Sequence, residues 1–310
     1  MNLPKTVTLV EVGPRDGLQN EQRVATPELR VELINRLADS GLQVIEAGSF
    51  VSPKWIPQMA DTDKVLSKLD LGSELRYPVL VPNEEGVEKA IEAGVREIAV
   101  FASATESISR KNTNCSISES LKRLERVCER ALAVKIEVRG YISCVLECPI
   151  EGVVEPSKVT PVANALIEMG CFQVSLGDTL GTGTPGMVTA LIESLTKGIP
   201  VTRLAGHFHD TYGQGLANVL ASMQLGVTTF DSSVAGLGGC PYAPGASGNL
   251  ATEDLLYMLD GMGIETGVSI DSIMDTVRFI SHQLKRPLLS KVSQALTNKS
   301  AGREDQPHPL

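Results

Sequence analysis

Along this chain the spacing of hydrophobic positions changes repeatedly. Segments whose apolar residues recur every three to four positions alternate with short runs that are apolar throughout or at every second position. These are the periods of an amphipathic helix and of a buried strand. Strand-like runs fall at Thr6–Val12, Gln43–Ala47, Leu75–Val81, Glu97–Ala102, Ile136–Ser143, Phe172–Leu176, Arg203–Phe208 and Thr228–Val234, with helical segments between successive members. Eight strands alternating with helices predict an α/β fold, a (β/α)8 TIM barrel, over about residues 6–263. Helical patterns at Thr252–Met262 and Ser269–Leu284 and a polar tail from Asn298 then form a C-terminal helical extension over about residues 264–310. The tail is expected to fray.

The joints carry their own signal. Four helices end in a glycine, at Gly41, Gly94, Gly170 and Gly226, with an apolar strand directly after. Each glycine suits the left-handed residue that turns a helix end into the next strand. Thr26 and Pro27 read as cap and first turn of a helix whose apolar face is Leu29, Leu33, Ile34 and Leu37. Ser116 and Glu119 form a capping box ahead of Leu121, Leu124 and Val127. Counting five residues from each joint glycine puts Glu46, Ala99, Ser175 and Asp231 on alternate strands of one inward layer.

Length permits one or two domains, and barrels of this class exceed 250 residues as single domains, so residues 1–310 read as a single catalytic domain. Hydrophobic residues make up 42% and charged residues 21%, which excludes disorder, collagen and coiled coil. A net charge of −9 without a basic run leaves no electrostatic footprint for nucleic acid. No apolar stretch is long enough to span a membrane, and Met1–Val12 has no signal-peptide core. Six cysteines (Cys115, Cys128, Cys144, Cys148, Cys171 and Cys240) are spaced for neither a zinc ribbon nor a disulfide scaffold and read as reduced thiols.

Active sites of this barrel class lie at the carboxyl ends of the strands. Strand 1 ends in Glu11, Arg15, Asp16 and Gln19, strand 2 carries Glu46, strand 6 ends in Asp178 and Thr179, and strand 7 ends in His207-Phe208-His209-Asp210. Alternation puts His207 and His209 on one face, where they either ligate one metal or hydrogen-bond in a polar core. The chain has only four histidines, and two fall at this strand end. Asp16 is the natural third ligand and the amide oxygen of Asn249 a fourth. Two imidazoles with oxygen donors suit Mg²⁺ or Mn²⁺, non-haem iron also fits, and zinc is not excluded. Arg15 supplies fixed positive charge where an oxyanion develops, or else a rim salt bridge. Glu11 and Glu46 read as carboxylates that hold Arg15 and the loops by hydrogen bonds. The segment Gly236–Glu253 is long, glycine-rich and thiol-bearing, the composition of a loop that closes over a ligand. Neither it nor Gly177–Gly186 matches a nucleotide-binding fingerprint.

The motifs VGPRDGLQNE, IEAGSFVSPKWIPQMAD, SLGDTLGTGTP, GHFHDTYGQGLAN and VAGLGGCPYAPGASGNLATED resemble the metal-dependent barrel lyases and Claisen-type synthases, and within them the 3-hydroxy-3-methylglutaryl-coenzyme A lyase family. The resemblance covers about Val7 to beyond Gly263. It implies cleavage of that thioester to acetyl-CoA and acetoacetate with a divalent metal, Mg²⁺ or Mn²⁺, on Asp16, His207, His209 and Asn249. It further implies that Arg15 stabilises the enolate, Cys240 handles the proton and Glu253 supports the site, with His207 or Asp16 open as the base. Glu11, Glu46 and Asp178 are expected behind these groups. Gln19, Ser49, Thr179 and Asn112 are expected to touch the acyl-CoA, with Arg110, Lys111 and Asn114 forming a cationic loop for its phosphates. The absence of an organelle-targeting extension or a peroxisomal tripeptide suggests a cytoplasmic enzyme of bacterial type, and an apolar outer surface would make it a homodimer. A barrel synthase condensing acetyl-CoA with a 2-oxo acid, an aldolase for 4-hydroxy-2-oxo acids and a catalytically silent ligand-binding barrel are the alternative readings.

Overall fold

The computed structural model describes residues 3–239 and 248–304. Its strands are β1 (Thr8–Glu11), β2 (Val44–Ile45), β3 (Gly48–Ser49), β4 (Val79–Leu80), β5 (Glu97–Ser103), β6 (Glu137–Ser143), β7 (Glu147–Cys148), β8 (Gly152–Val153), β9 (Gln173–Asp178), β10 (Leu204–Phe208) and β11 (Thr229–Ser232). One sheet runs β2-β1-β11-β10-β9-β6-β5-β4-β3 with every neighbouring pair parallel. Because β2 and β3 are two pieces of one strand, the two ends of the sheet meet and the barrel closes.

The helices are α1 (Pro27–Asp39), α2 (Thr62–Leu66), α3 (Glu84–Glu92), α4 (Glu106–Thr113), α5 (Ile117–Ala133), α6 (Pro156–Glu168), α7 (Pro185–Leu195), α8 (Gly215–Gln224), α9 (Thr252–Gly261), α10 (Ile270–Leu284) and α11 (Lys291–Glu304). They pack the outward faces of the strands in one large apolar core. Thr26 caps α1 through its hydroxyl, and the Ser116–Glu119 capping box opens α5 as expected. The buried face of α1 includes Arg30 beside Leu33, Ile34 and Leu37, while Leu29 is only half-buried.

The structure departs from the periodicity in four places. The second strand splits, and the break resets its alternation. Glu46 faces the barrel axis toward Arg15, whereas a side chain on Gly48 would run into Arg30 and Thr62 on the helical side. The third strand shrinks to two residues beside Pro78, which has no N–H to donate. Helix α11 runs through Asn298, where a fraying tail was expected, and the antiparallel β7–β8 hairpin gave no periodic signal because each arm has two residues.

All four joint glycines have left-handed backbones: Gly41 at φ 101°, Gly94 at 74°, Gly170 at 95° and Gly226 at 94°. At the joint between α5 and β6, Lys135 takes that conformation instead, at φ 64°.

The inward face is polar, and its parts reach one another across the barrel. Asp231 on β11 accepts from Arg139 Nη2 on β6 at 2.8 Å and from Ser175 Oγ on β9 at 2.7 Å, and contacts His207 Nδ1 on β10 at 3.0 Å. Arg139 also donates to Gln173 Oε1 and Tyr141 Oη. Ala99 packs inside with Leu80 and Tyr141. Glu46, Ala99, Ser175 and Asp231 thus all face inward, as expected. Burial alone would push Asp231 up, but the Arg139 guanidinium and His207 together outweigh it and hold the carboxyl down at about 2.

Gly94→Ala meets no atom within 4 Å and should cost only the left-handed strain of about 1–2 kcal/mol. Gly41→Ala should cost clearly more, because its added carbon would lie 2.2 Å from the Gly267 carbonyl oxygen. Urea titrations of the two variants compare them directly, and equal midpoints would contradict the close approach. Arg139→Met leaves Asp231 charged, buried and short of its cationic partner. The expected loss is about 3–5 kcal/mol by the same measurement.

Candidate metal centre and active site

Chain leaving β1 makes a wide helical turn over Gly13–Gly17, and this turn carries Arg15 and Asp16. Both flanking glycines are needed. A carbon on Gly13 would lie 2.5 Å from Glu11 Oε1, and one on Gly17 would lie 2.8 Å from both Leu237 Cβ and Ser233 Oγ. Turns of this kind recur at functional sites because they widen a helical turn to re-aim its side chains. Glu11 anchors it: one carboxylate oxygen accepts from Gly13 N at 2.8 Å and Val234 N at 2.9 Å, and the other from the Thr252 hydroxyl at 2.7 Å. Burial still pushes Glu11 up to about 7.

Arg15 is buried between two carboxylates, with Nε 2.7 Å from Glu46 Oε2 and Nη1 2.8 Å from Asp16 Oδ1. Its guanidinium carbon lies 5.7 Å from the Tyr141 ring centroid, and that of Arg139 lies 5.1 Å from the same ring. Both guanidiniums thus lie within cation–π distance of one aromatic ring.

Asp16, His207 and His209 each offer a ligand atom, all within 4.8 Å of one another. His207 turns Nδ1 toward Asp231, which leaves Nε2 toward Asp16 Oδ2 at 4.0 Å. A carboxylate behind an imidazole fixes the ring's orientation and tautomer and raises its basicity. Burial opposes protonation of His207, yet the hydrogen bond and charge of Asp231 carry its pKa above the ordinary value. His209 behaves oppositely: burial, then the neighbouring His207, lower it to about 4, so its ring is neutral near pH 7. Its Nδ1 is buried with no hydrogen-bond partner. Burial opposes ionisation of Asp16, but the charge of Arg15 together with His207 and the Asn249 hydrogen bond holds its pKa below the ordinary value and keeps that group an anion. Two imidazoles with lone pairs to offer, one anion and an orphaned buried nitrogen form a donor set that fits a divalent cation.

Asn249 joins this cluster from the far end of the chain. Its backbone bridges to His209, and its amide nitrogen donates to Asp16 Oδ2 at 2.8 Å and to the Leu237 carbonyl at 3.1 Å. Glu253 is fully buried under the root of the glycine-rich segment, where it accepts from Ala235 N at 3.1 Å and contacts Ser290. This position supports the loop stem. Burial raises its pKa to about 7. Asp178 turns away from the axis and accepts from Gly181 N and Gly183 N, holding the loop that carries Thr179. Thr179 Oγ1 accepts from Cys144 N, and Ser49 Oγ accepts from Val51 N. Gln19 is half-buried with Oε1 unpartnered.

Arg110, Lys111 and Asn112 sit in the last turns of α4, with Asn114 its left-handed cap, so the cationic loop expected there is a helix. The cause is Ser109 and Thr113, whose hydroxyls bond to the Cys115 and Ser109 carbonyls and close the turn. Cys240 lies outside the described residues. The other five cysteines are buried, and none of them forms a disulfide. Tyr141, Arg139 and the Asp231–His207 contact escaped the sequence reading. An arginine at an inward position of an otherwise apolar strand was the available signal.

Comparison with known proteins bears on these groups together. The sequence profile of the HMGL-like family matches residues 6–280. The mitochondrial hydroxymethylglutaryl-CoA lyase of Mus musculus is 55% identical over 293 residues, which span 94% of this chain and 90% of that one. The cytoplasmic 3-hydroxy-3-methylglutaryl-CoA lyase of Danio rerio is 55% identical over 296 residues, 96% of this chain and 88% of that one. The crystal structure of hydroxymethylglutaryl-CoA lyase from Pseudomonas aeruginosa superposes with a TM-score of 0.94 at 52% identity, covering 96% of this chain and all of that one. With the barrel, the cluster at its mouth and the whole length of the match in agreement, the chain belongs to the HMGL-like family and groups within it with the hydroxymethylglutaryl-CoA lyases.

Proposed function

We propose that this chain cleaves 3-hydroxy-3-methylglutaryl-CoA to acetyl-CoA and acetoacetate. The observation that carries the reading is the set Asp16, His207 and His209, with ligand atoms within 4.8 Å of one another and Arg15 beside it, at the carboxyl end of the barrel. Asp16, His207, His209 and the side-chain amide oxygen of Asn249 would hold a divalent ion, Mg²⁺ or Mn²⁺, which when bound supplies an acidified, oriented tertiary hydroxyl.

The reaction removes the hydroxyl proton, breaks the bond between the hydroxyl-bearing carbon and the carbon next to the thioester, and leaves a ketone and a thioester enolate. Protonation of the enolate carbon completes acetyl-CoA. Charge that begins on the hydroxyl oxygen therefore ends on the thioester oxygen. Arg15 is placed to stabilise it there: Glu46 and Asp16 hold the guanidinium still, so little reorganisation is needed as the charge arrives. Glu46 fixes Arg15, while Asp231 sets which nitrogen of His207 faces the reaction. Asp16 or His207 accepts the hydroxyl proton in this reading, and Cys240 delivers one to the enolate carbon. Glu253 and Glu11 position the loop stem and the Arg15–Asp16 turn. Gln19, Ser49 and Thr179 approach the acyl part, and Asn112 with its cationic neighbours on α4 approaches the coenzyme A phosphates.

Incubating the purified protein with Mg²⁺ and the thioester should release acetoacetate. A condensing synthase or a silent binding barrel releases none. Exhaustive chelation should abolish turnover and readdition restore it, and His209→Ala should raise the metal concentration needed for half-maximal rate at least tenfold, or remove activity. Full activity after chelation would refute the metal assignment. Arg15→Met should lower kcat by about 10²–10³-fold with little change in KM, because the charge it meets exists only as the bond breaks. A change confined to KM would make Arg15 a ground-state contact.

A further inference from the structure

The loop after the split second strand carries the chain's single tryptophan, and Trp55 is 83% exposed. An indole is among the largest apolar groups a protein can bury, so leaving one in water forgoes substantial stabilisation. The loop is nevertheless stiff. Pro53 and Pro57 flank the residue, Trp55 N and Ile56 N both donate to the Ser52 carbonyl, and Ile56 and Met59 pack into the core. Fully buried Arg30 grips both ends, donating to the Ala47 carbonyl at 3.1 Å and the Ala60 carbonyl at 2.9 Å. Gln58 ties the loop to the exit of β1 through the Glu21 carbonyl at 3.0 Å. The loop is thus held while one flat side chain stands out from it, an arrangement that binds a ligand with little ordering cost.

Its setting selects the ligand. Lys54 is the only charged residue between Phe50 and Ala60, on a chain of net charge −9. Another exposed aromatic at this end of the barrel, Tyr212, stands two residues from acidic Asp210. An aromatic face beside a cation matches a planar base carrying phosphates. The loop leaves the same end of the barrel as Arg15, Asp16, His207 and His209. In an acyl-CoA the pantetheine arm separates the reacting thioester from the adenine, so the base must be met outside the barrel mouth. We propose that Trp55 is a binding residue for the nucleotide end of the acyl-CoA, its indole stacking on the adenine and Lys54 meeting the phosphates. The identity of that ligand rests on the lyase reading above.

Trp55 reports on itself as the sole indole. Coenzyme A should quench the tryptophan emission of the wild-type protein saturably, and pantetheine, which lacks the nucleotide, should not. Trp55→Ala should raise KM for 3-hydroxy-3-methylglutaryl-CoA by about 5- to 150-fold. It should shrink the preference for this substrate over the matching pantetheine thioester by the same factor, and Trp55→Phe should restore most of it. Emission indifferent to coenzyme A, or an equal loss on both thioesters, would overturn the proposal. If the wild-type protein cleaves neither thioester while coenzyme A still quenches, the stacking stands and the lyase reading falls; cleavage without quenching gives the reverse.

Discussion

A buried carboxylate at the centre of the barrel, Asp231, is the group on which the rest depends. It is out of water, so it must be paired and fully hydrogen-bonded to be tolerated as an anion. Its partners come from three other strands: Arg139 from β6, Ser175 from β9 and His207 from β10. One charge therefore ties four consecutive strands together from within, at a depth where apolar side chains could fill space without fixing orientation. The contact to His207 carries this rigidity upward. With Nδ1 committed to Asp231, the ring has one orientation and one nitrogen to present at the mouth.

A second buried carboxylate does the same at the rim. Glu11 bonds to the turn after β1 and to two points after β11, so the Arg15–Asp16 turn and the stem of the glycine-rich segment are held by one side chain. Asn249, which follows that segment, reaches Asp16 directly. The candidate ligands thus come from three strand ends, yet their geometry is set by two carboxylates that never meet solvent. Asp16 and His207 are partly exposed at the mouth, while the carboxylates that orient them and their neighbours are fully buried.

Charge is also distributed by function. The protein as a whole is acidic, but its mouth holds Arg15 over Tyr141 with Arg139 behind, and the rim adds Lys54 and the basic turn of α4. A polyanionic thioester would be repelled by the average surface and drawn by the local one. At the rim, the fully buried Arg30 donates to two carbonyls at the ends of the loop that carries Trp55 and holds that loop in place.

Read alone, the sequence determined the barrel, the four left-handed glycine joints, the inward placing of Glu46, Ala99, Ser175 and Asp231, and the meeting of Arg15-Asp16 with His207-x-His209. These were legible because they depend on local rules: period, cap chemistry, and the tendency of barrel chemistry to gather at strand ends. Arg139 escaped that reading because its role depends on what it faces. Its partner lies 92 residues away, and Asp16 and Asn249 are 233 residues apart. Pairing across a barrel is set by strand register and closure, which no local window contains. The break in the second strand, the hairpin of β7 and β8, and the helical setting of Arg110 to Asn112 belong to the same class, since each involves too few residues to have a period of its own. Tertiary structure alone decided that Asp231 serves both Arg139 and His207, because a buried charge takes whichever partners the closed sheet brings within reach.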